Sequence, residues 1–276
     1  MTTPLLGSAL GALPGRPRRS LAKRWLRRLA LRAGLYPHIS SSKVPFKIFE
    51  FTELLRGSPV RPTDRILDLG CGIGSQTLLV GRRCRKVVGV DILPEAIETA
   101  RAQARAFEGV VDAEFHCGPV ETLGLPAASF DKVFSFCVIE HIPNCDEVLA
   151  ELARLLVPGG ELVLSADSLE GIEDPELLEK HRRENRVERY FRAADLRARL
   201  ERAGFEVEAL YPIFRSEHAR ARFEEGIRRG FAYGYFEALL ETARLRWHER
   251  RCRERERGLF LIARCRVPAT ATGARA

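Results

Sequence analysis

No acidic residue occurs before Glu50. That stretch instead carries Arg16, Arg18, Arg19, Lys23, Arg24, Arg27, Arg28, Arg32, Lys43 and Lys47, and with a net charge of +8 for the chain, everything after it sums to −2. The basic character therefore belongs to the leader and not to the body. No apolar run approaches the ~18 residues of a membrane-spanning helix. The seven cysteines are odd in number and lack any C-x-x-C spacing, which disfavours a zinc site or a disulfide framework and fits a reducing cytoplasm. There is no G-x-x-x-x-G-K-[ST], so nothing is built to cradle a triphosphate. The leader also lacks the order of an export signal. Its mild apolar run, Pro4 to Pro14, precedes the arginines, and Lys23, Arg24, Arg27 and Arg28 interrupt what would follow a twin-arginine pair at Arg18-Arg19. An arginine-rich, acid-free start also resembles a mitochondrial transit peptide, and that reading stays open.

What is present is a strand, a glycine-dense turn and a second strand ending in acid: Arg65-Ile-Leu-Asp-Leu-Gly-Cys-Gly-Ile-Gly74, then Val87-Val-Gly-Val-Asp91. Ile66 and Leu67 read as a buried parallel strand, and Gly70, Gly72 and Gly74 let the backbone turn and approach a ligand without a Cβ in the way. Ser75 to Val80 reads as the first turns of a helix, which places the loop outside the carboxyl end of a strand, where open α/β sheets bind ligands. Asp91 can accept hydrogen bonds from both hydroxyls of a ribose. A dinucleotide fingerprint would need glycine at 75, where Ser75 stands.

This D-x-G-x-G-x-G loop with a later strand-end acid resembles the first two motifs of class I S-adenosylmethionine-dependent methyltransferases. The similarity continues through Ser129 to Pro143 (fourth strand and its turn), Leu156 to Leu164 (the Pro-Gly turn into the fifth), and Tyr190 to Leu196 with Ala203 to Val207, which match the small-molecule and quinone methyltransferase branch. It covers about residues 60 to 212, with a seventh strand expected at Leu259 to Arg264. The resemblance implies an α/β fold, a doubly wound, seven-stranded, mostly parallel sheet of the Rossmann-like methyltransferase type. It also implies S-adenosyl-L-methionine as cofactor, S-adenosyl-L-homocysteine as product and no metal. Site roles follow from it: Asp68, Gly70, Gly72 and Gly74 at the methionine end, Asp91 on the ribose, Ile92 against the adenine, and Phe136 bordering the sulfonium. Where relatives often carry an adenine-contacting aspartate this chain has Gly118-Pro119-Val120, so contact there falls to Val120 or to the Pro119 carbonyl.

Ser20 to Ala33 has the periodicity of a basic amphipathic helix, with Leu21, Trp25 and Leu29 opposite Arg24, Arg28 and Arg32. Three readings stay open: a helix packed on the body, peripheral membrane contact through residues 18–34, and, less favoured, nucleic acid. Residues 1–58 are expected to form the basic extension and lid helices, 59–267 the methyltransferase domain with a helical cap insertion at about 213–257, and 268–276 a tail. The insertion, longer than an ordinary connection, reads as a substrate cap or homodimer contact, with Phe231 to Phe236 a candidate pocket wall; a helix pair packed on the sheet is the alternative.

Methyl transfer from a sulfonium is an in-line displacement that needs alignment and exclusion of water more than catalytic groups. For a hydroxyl acceptor a base helps, and His141, just past the fourth strand beside Glu140, is the candidate, with ordering of its loop the more ordinary role for a histidine there. Ser135-Phe-Cys-Val138 does not resemble the Asn/Asp-Pro-Pro-Tyr/Phe motif of amide and adenine methylation, and Cys137 reads as a structural thiol. No acid cluster follows the fourth strand in sequence. The expected function is methylation of a small-molecule or lipid-like acceptor, at oxygen, in the cytoplasm or peripherally on a membrane. The alternatives are RNA methylation using the basic extension and a non-catalytic cofactor-binding module.

Overall fold

The computed structural model describes residues 43–106 and 112–269. The basic segment 18–34 and the tail 270–276 lie outside the described residues. The chain first forms helix α1 (Pro45–Gly57), then alternates β1 (Arg65–Leu69), α2 (Ser75–Gly81), β2 (Lys86–Asp91), α3 (Pro94–Ala106), β3 (Ala113–Cys117), β4 (Phe130–Phe136), α4 (Cys145–Leu155) and β5 (Leu156–Asp167). Helices α5 (Pro175–Asn185) and α6 (Ala193–Arg202), strand β6 (Glu206–Ile213), helices α7 (Glu217–Arg229) and α8 (Tyr235–Arg251) and strand β7 (Phe260–Arg266) complete it.

The strands form one sheet in the order β3-β2-β1-β4-β5-β7-β6, parallel except for β7, which runs antiparallel to both neighbours. Alternation of side chains sorts the core into two faces. Ile66, Phe134, Val163 and Ile262 face a cluster completed by Phe46, Phe51 and Leu54 of α1 and Phe223 of α7. Leu67, Val133, Leu162 and Leu261 face a second cluster with Leu149 and Leu152 of α4 and Leu196 and Leu200 of α6. Phe46 and Phe51 of α1 are at most 1% exposed and belong to the core. The strand order reverses between β1 and β4, so a crevice opens at their carboxyl ends.

Candidate active site

The turn after β1 is held by its own backbone and by one carboxylate. The amides of Gly70 and Cys71 donate to the Val90 carbonyl at 2.8 and 3.0 Å, and Gly74 donates to Cys71 at 2.9 Å. Asp91, at the end of β2, accepts the Gly72 amide on Oδ2 at 2.8 Å and the Leu93 amide on Oδ1 at 2.9 Å. Gly70, Gly72 and Gly74 all have positive φ, and the first two need glycine for different reasons. At Gly70, φ is +72° and a Cβ would collide with Val138 from the turn after β4. At Gly72, φ is +52° and nothing lies within 4 Å of where a Cβ would stand, so the backbone there faces open space in which a ligand can approach.

Asp68 sits beneath the loop, 3% exposed, with Oδ2 accepting the Thr77 hydroxyl at 2.5 Å and Oδ1 without a partner. Burial, opposed by the Thr77 hydrogen bond and aided by the Asp91 charge, pushes its carboxyl up to about 7. An orphaned buried carboxylate oxygen calls for a donor, and the ammonium of an amino-acid group is such a donor. Ile92 is 67% exposed on the open side of the loop. Val120, by contrast, turns its side chain into the core, and the Pro119 carbonyl is already taken by the Thr122 amide at 3.0 Å and hydroxyl at 2.8 Å. Phe136 is held between Phe51 and Phe134, with ring centroids 5.4 and 6.0 Å away, so its ring belongs to the core beneath α1.

Beyond β4 the chain turns through Cys137, a non-glycine residue at φ +52°, a backbone strain of the kind that gathers at functional sites. Here acids converge that the run of residues after the fourth strand does not show as a cluster. Glu140 is fully buried with neither carboxylate oxygen hydrogen-bonded, and Asp167, the last residue of β5, is 2% exposed with Oδ2 unpartnered. Single ligand atoms from Cys137, Glu140 and Asp167 all lie within 4.8 Å of one another, close enough for a cation. Glu50 of α1 joins them, accepting from the Cys137 thiol at 3.1 Å, from the Ser165 hydroxyl, and from Lys47 at 2.9 Å. Burial, then repulsion from Asp167, holds the Glu140 carboxyl well above its ordinary range, and burial, opposed by Lys47 and aided by Glu50, raises Asp167 to about 7. These acids come from three elements far apart in the chain, so they form no cluster in the sequence.

His141 places Nδ1 3.3 Å from the Arg186 carbonyl, which makes Nδ1–H the donor and leaves Nε2 as an acceptor 3.9 Å from Glu140. A second histidine escaped sequence reading. His181 of α5 is 3% exposed, with Nδ1 3.0 Å from the Tyr190 hydroxyl, which itself donates to the Leu178 carbonyl. Its Nε2 is thereby left free, 3.8 Å from Asp167, and burial lowers its pKa to about 4. Asp167, His181, Lys47, Phe46, Phe223 and Phe231 line a cavity of about 40 Å³. Of the expected pocket wall, Phe231 lines this cavity, whereas Phe236 is 87% exposed and faces away from the core. Asp167 could have been found from position alone, as the end of a strand at the sheet's binding edge; His181 carried no such signal.

The methyltransferase domain family matches residues 67–164, from β1 to β5, the span that holds the loop, Asp91 and the β4 turn. That span is thus a methyltransferase domain, similar in its motifs to the class I S-adenosylmethionine-dependent methyltransferases. Within this superfamily it is 35% identical over 102 residues to a ubiquinone biosynthesis O-methyltransferase of Xanthomonas oryzae, covering 37% of this chain and 42% of that one. It is 36% identical over 117 residues to a 27-O-demethylrifamycin SV methyltransferase of Amycolatopsis mediterranei, covering 41% and 42%. The matched stretch thus spans about two-fifths of the length of these curated relatives. An S-adenosylmethionine-dependent methyltransferase from Mesorhizobium loti shares the fold with a TM-score of 0.57 at 20% identity, over 79% of this chain and 97% of its own.

Proposed function

We propose that this methyltransferase transfers the methyl group of S-adenosylmethionine to an oxygen of a small-molecule or lipid-like acceptor. The observation that carries the reading is the adjacency of two half-sites: a glycine loop clasped by Asp91, and, beyond Val138, a buried acid and histidine cluster closed by α1, α5 and α7. The names of two relatives, both O-methyltransferases, support oxygen as the acceptor atom.

When bound, S-adenosylmethionine supplies an electrophilic methyl on its sulfonium. The chain's own residues do the rest. Asp91 offers its remaining lone pairs to the ribose hydroxyls, Ile92 covers the adenine, the Val120 amide borders it, and Asp68 answers the amino group. The β4 turn after Phe136 places the acceptor. His141, its tautomer fixed by the Arg186 carbonyl, takes the acceptor's proton on Nε2, and burial keeps the ring neutral and ready to do so. Unpartnered Glu140 and Asp167 accept hydrogen bonds from acceptor hydroxyls. A cavity of about 40 Å³ holds about one water molecule, so an acceptor enters only when the α7–α8 cap parts.

The test is release of S-adenosylhomocysteine from the full chain with phenolic and aliphatic alcohol acceptors, for wild type, His141→Ala and His181→Ala. Turnover lost with His141→Ala and largely kept with His181→Ala supports the assignment. Cofactor binding without turnover on any acceptor supports a non-catalytic module instead.

A further inference from the structure

Helix α8 buries one side and leaves a continuous apolar stripe on the other. Ala238, Glu241, Leu245 and Glu249 face inward. At 3.6 residues per turn, Phe236, Leu239, Leu240, Ala243 and Trp247 share the opposite face. There Phe236 is 87%, Leu240 54% and Trp247 51% exposed. Exposed aromatics and leucines in such a row cost hydration free energy unless something covers them. Arginines edge the row. Arg244 is 58% exposed, Arg250 and Arg251 stand at its carboxyl end, and the Arg251 guanidinium lies 4.1 Å over the Trp247 ring.

We infer that this face of α8 docks on an anionic lipid surface. An apolar stripe carrying tryptophan, edged by arginines long enough to reach headgroups while their stems stay among acyl chains, has the pattern of an interfacial helix. The charge argues against the other occupants. The chain's own basic segment, acid-free before Glu50, would bring arginines against Arg244, Arg250 and Arg251. A second copy packed face to face about a twofold axis would oppose the same arginines. The consequence reaches the site. The loop that leads into α8 carries Phe231, a wall of the active-site cavity, so the bilayer contact begins one turn of chain from that wall. The inference concerns where the protein sits, and it stands whether or not the acceptor is lipid-like.

Two tryptophans, Trp25 and Trp247, make the test direct. In the full-length Trp25→Phe chain, emission reports Trp247 alone. With vesicles of phosphatidylglycerol and brominated phosphatidylcholine, the emission shifts to the blue and is quenched, and with phosphatidylcholine alone it changes much less. Arg250→Gln and Arg251→Gln each weaken the vesicle affinity about fivefold. Phe236→Gln with Leu240→Gln removes the quenching while the melting temperature holds, since both side chains are solvent-facing. Three outcomes overturn the inference: sedimentation with vesicles without quenching of Trp247, a blue shift that grows with protein concentration in the absence of lipid, and no response to anionic vesicles.

Discussion

The carboxylate of Asp91 and the amide of Gly72 meet at 2.8 Å, and this bond ties the glycine loop of one strand to the end of the next. Two of the loop's glycines, Gly70 and Gly72, serve different ends, and substitution separates them. Gly72→Ala meets no atom and pays only left-handed strain, about 1–2 kcal/mol. Gly70→Ala adds a collision with Val138 to the same strain and costs about 2–5 kcal/mol in all. Urea unfolding measures both, and equal losses would contradict the packing described for Gly70. Gly72→Ala, though folded, binds cofactor more weakly because its methyl stands where the ligand approaches.

Asp68 makes stability depend on pH in a defined direction. Its carboxyl is raised to about 7 by burial, so between about pH 4 and pH 7 the native state keeps a proton that the unfolded state has released. The contribution of Asp68 to stability therefore falls as pH rises through that window and is flat above it. Asp68→Asn removes this group's share of the slope, leaving the shares of Asp167 and Glu140, and stabilises the cofactor-free protein at pH 8 by up to about 4 kcal/mol. Denaturant titrations at pH 4.5 and 8 check this, and an Asn variant less stable at pH 8 would count against it. The same variant is expected to bind S-adenosylmethionine less tightly.

His141 sets the acid limb of activity. Burial lowers its pKa from 6.5, outweighing the Arg186 carbonyl, so kcat/KM should rise through a midpoint below 6.5 and reach a plateau near neutrality. His141→Gln should lose that limb and about 10²-fold or more in rate. A pH–rate profile unchanged in shape by the substitution would remove the histidine from the chemistry.

Cysteine reactivity reports burial and cofactor position together. Cys137 is buried, and desolvation pushes its thiol well above the ordinary range, whereas Cys117 is exposed, with its sulfur 3.8 Å from the Ile92 carbonyl. Iodoacetamide should label Cys117 and spare Cys137 in the native protein. S-adenosylhomocysteine should slow labelling of Cys117. Peptide mass spectrometry reads both, and early labelling of Cys137 would contradict the packing of α1 over the β4 turn.

How much of this was legible depends on distance along the chain. The cofactor loop was readable because it is contiguous: Gly70 to Gly74 needs its glycines for local reasons, and Asp91 lies one strand away. The sheet was readable for the same reason, with strands such as Phe130–Phe136 and Phe260–Arg266 close to their expected positions. The acid cluster was not, because Glu50, Glu140 and Asp167 meet only after α1 folds across the ends of β4 and β5. His181 is an ordinary residue of a polar helix until Tyr190 and Asp167 flank it. In the insertion, periodicity gave helices but not their facing. Phe231 and Phe236 look alike in sequence, yet one lines the cavity and the other faces outward.

The central claim is that an adenosyl cofactor is held by the glycine loop and Asp91. Isothermal calorimetry of S-adenosylhomocysteine binding, with the wild-type chain and with Asp91→Ala, tests it most directly. The account predicts one-to-one binding to wild type and a loss of about 1.5–3 kcal/mol in the variant, roughly 10- to 150-fold in Kd. Absence of binding to wild type at about millimolar ligand, or an unchanged Kd in a folded Asp91→Ala protein, would contradict it.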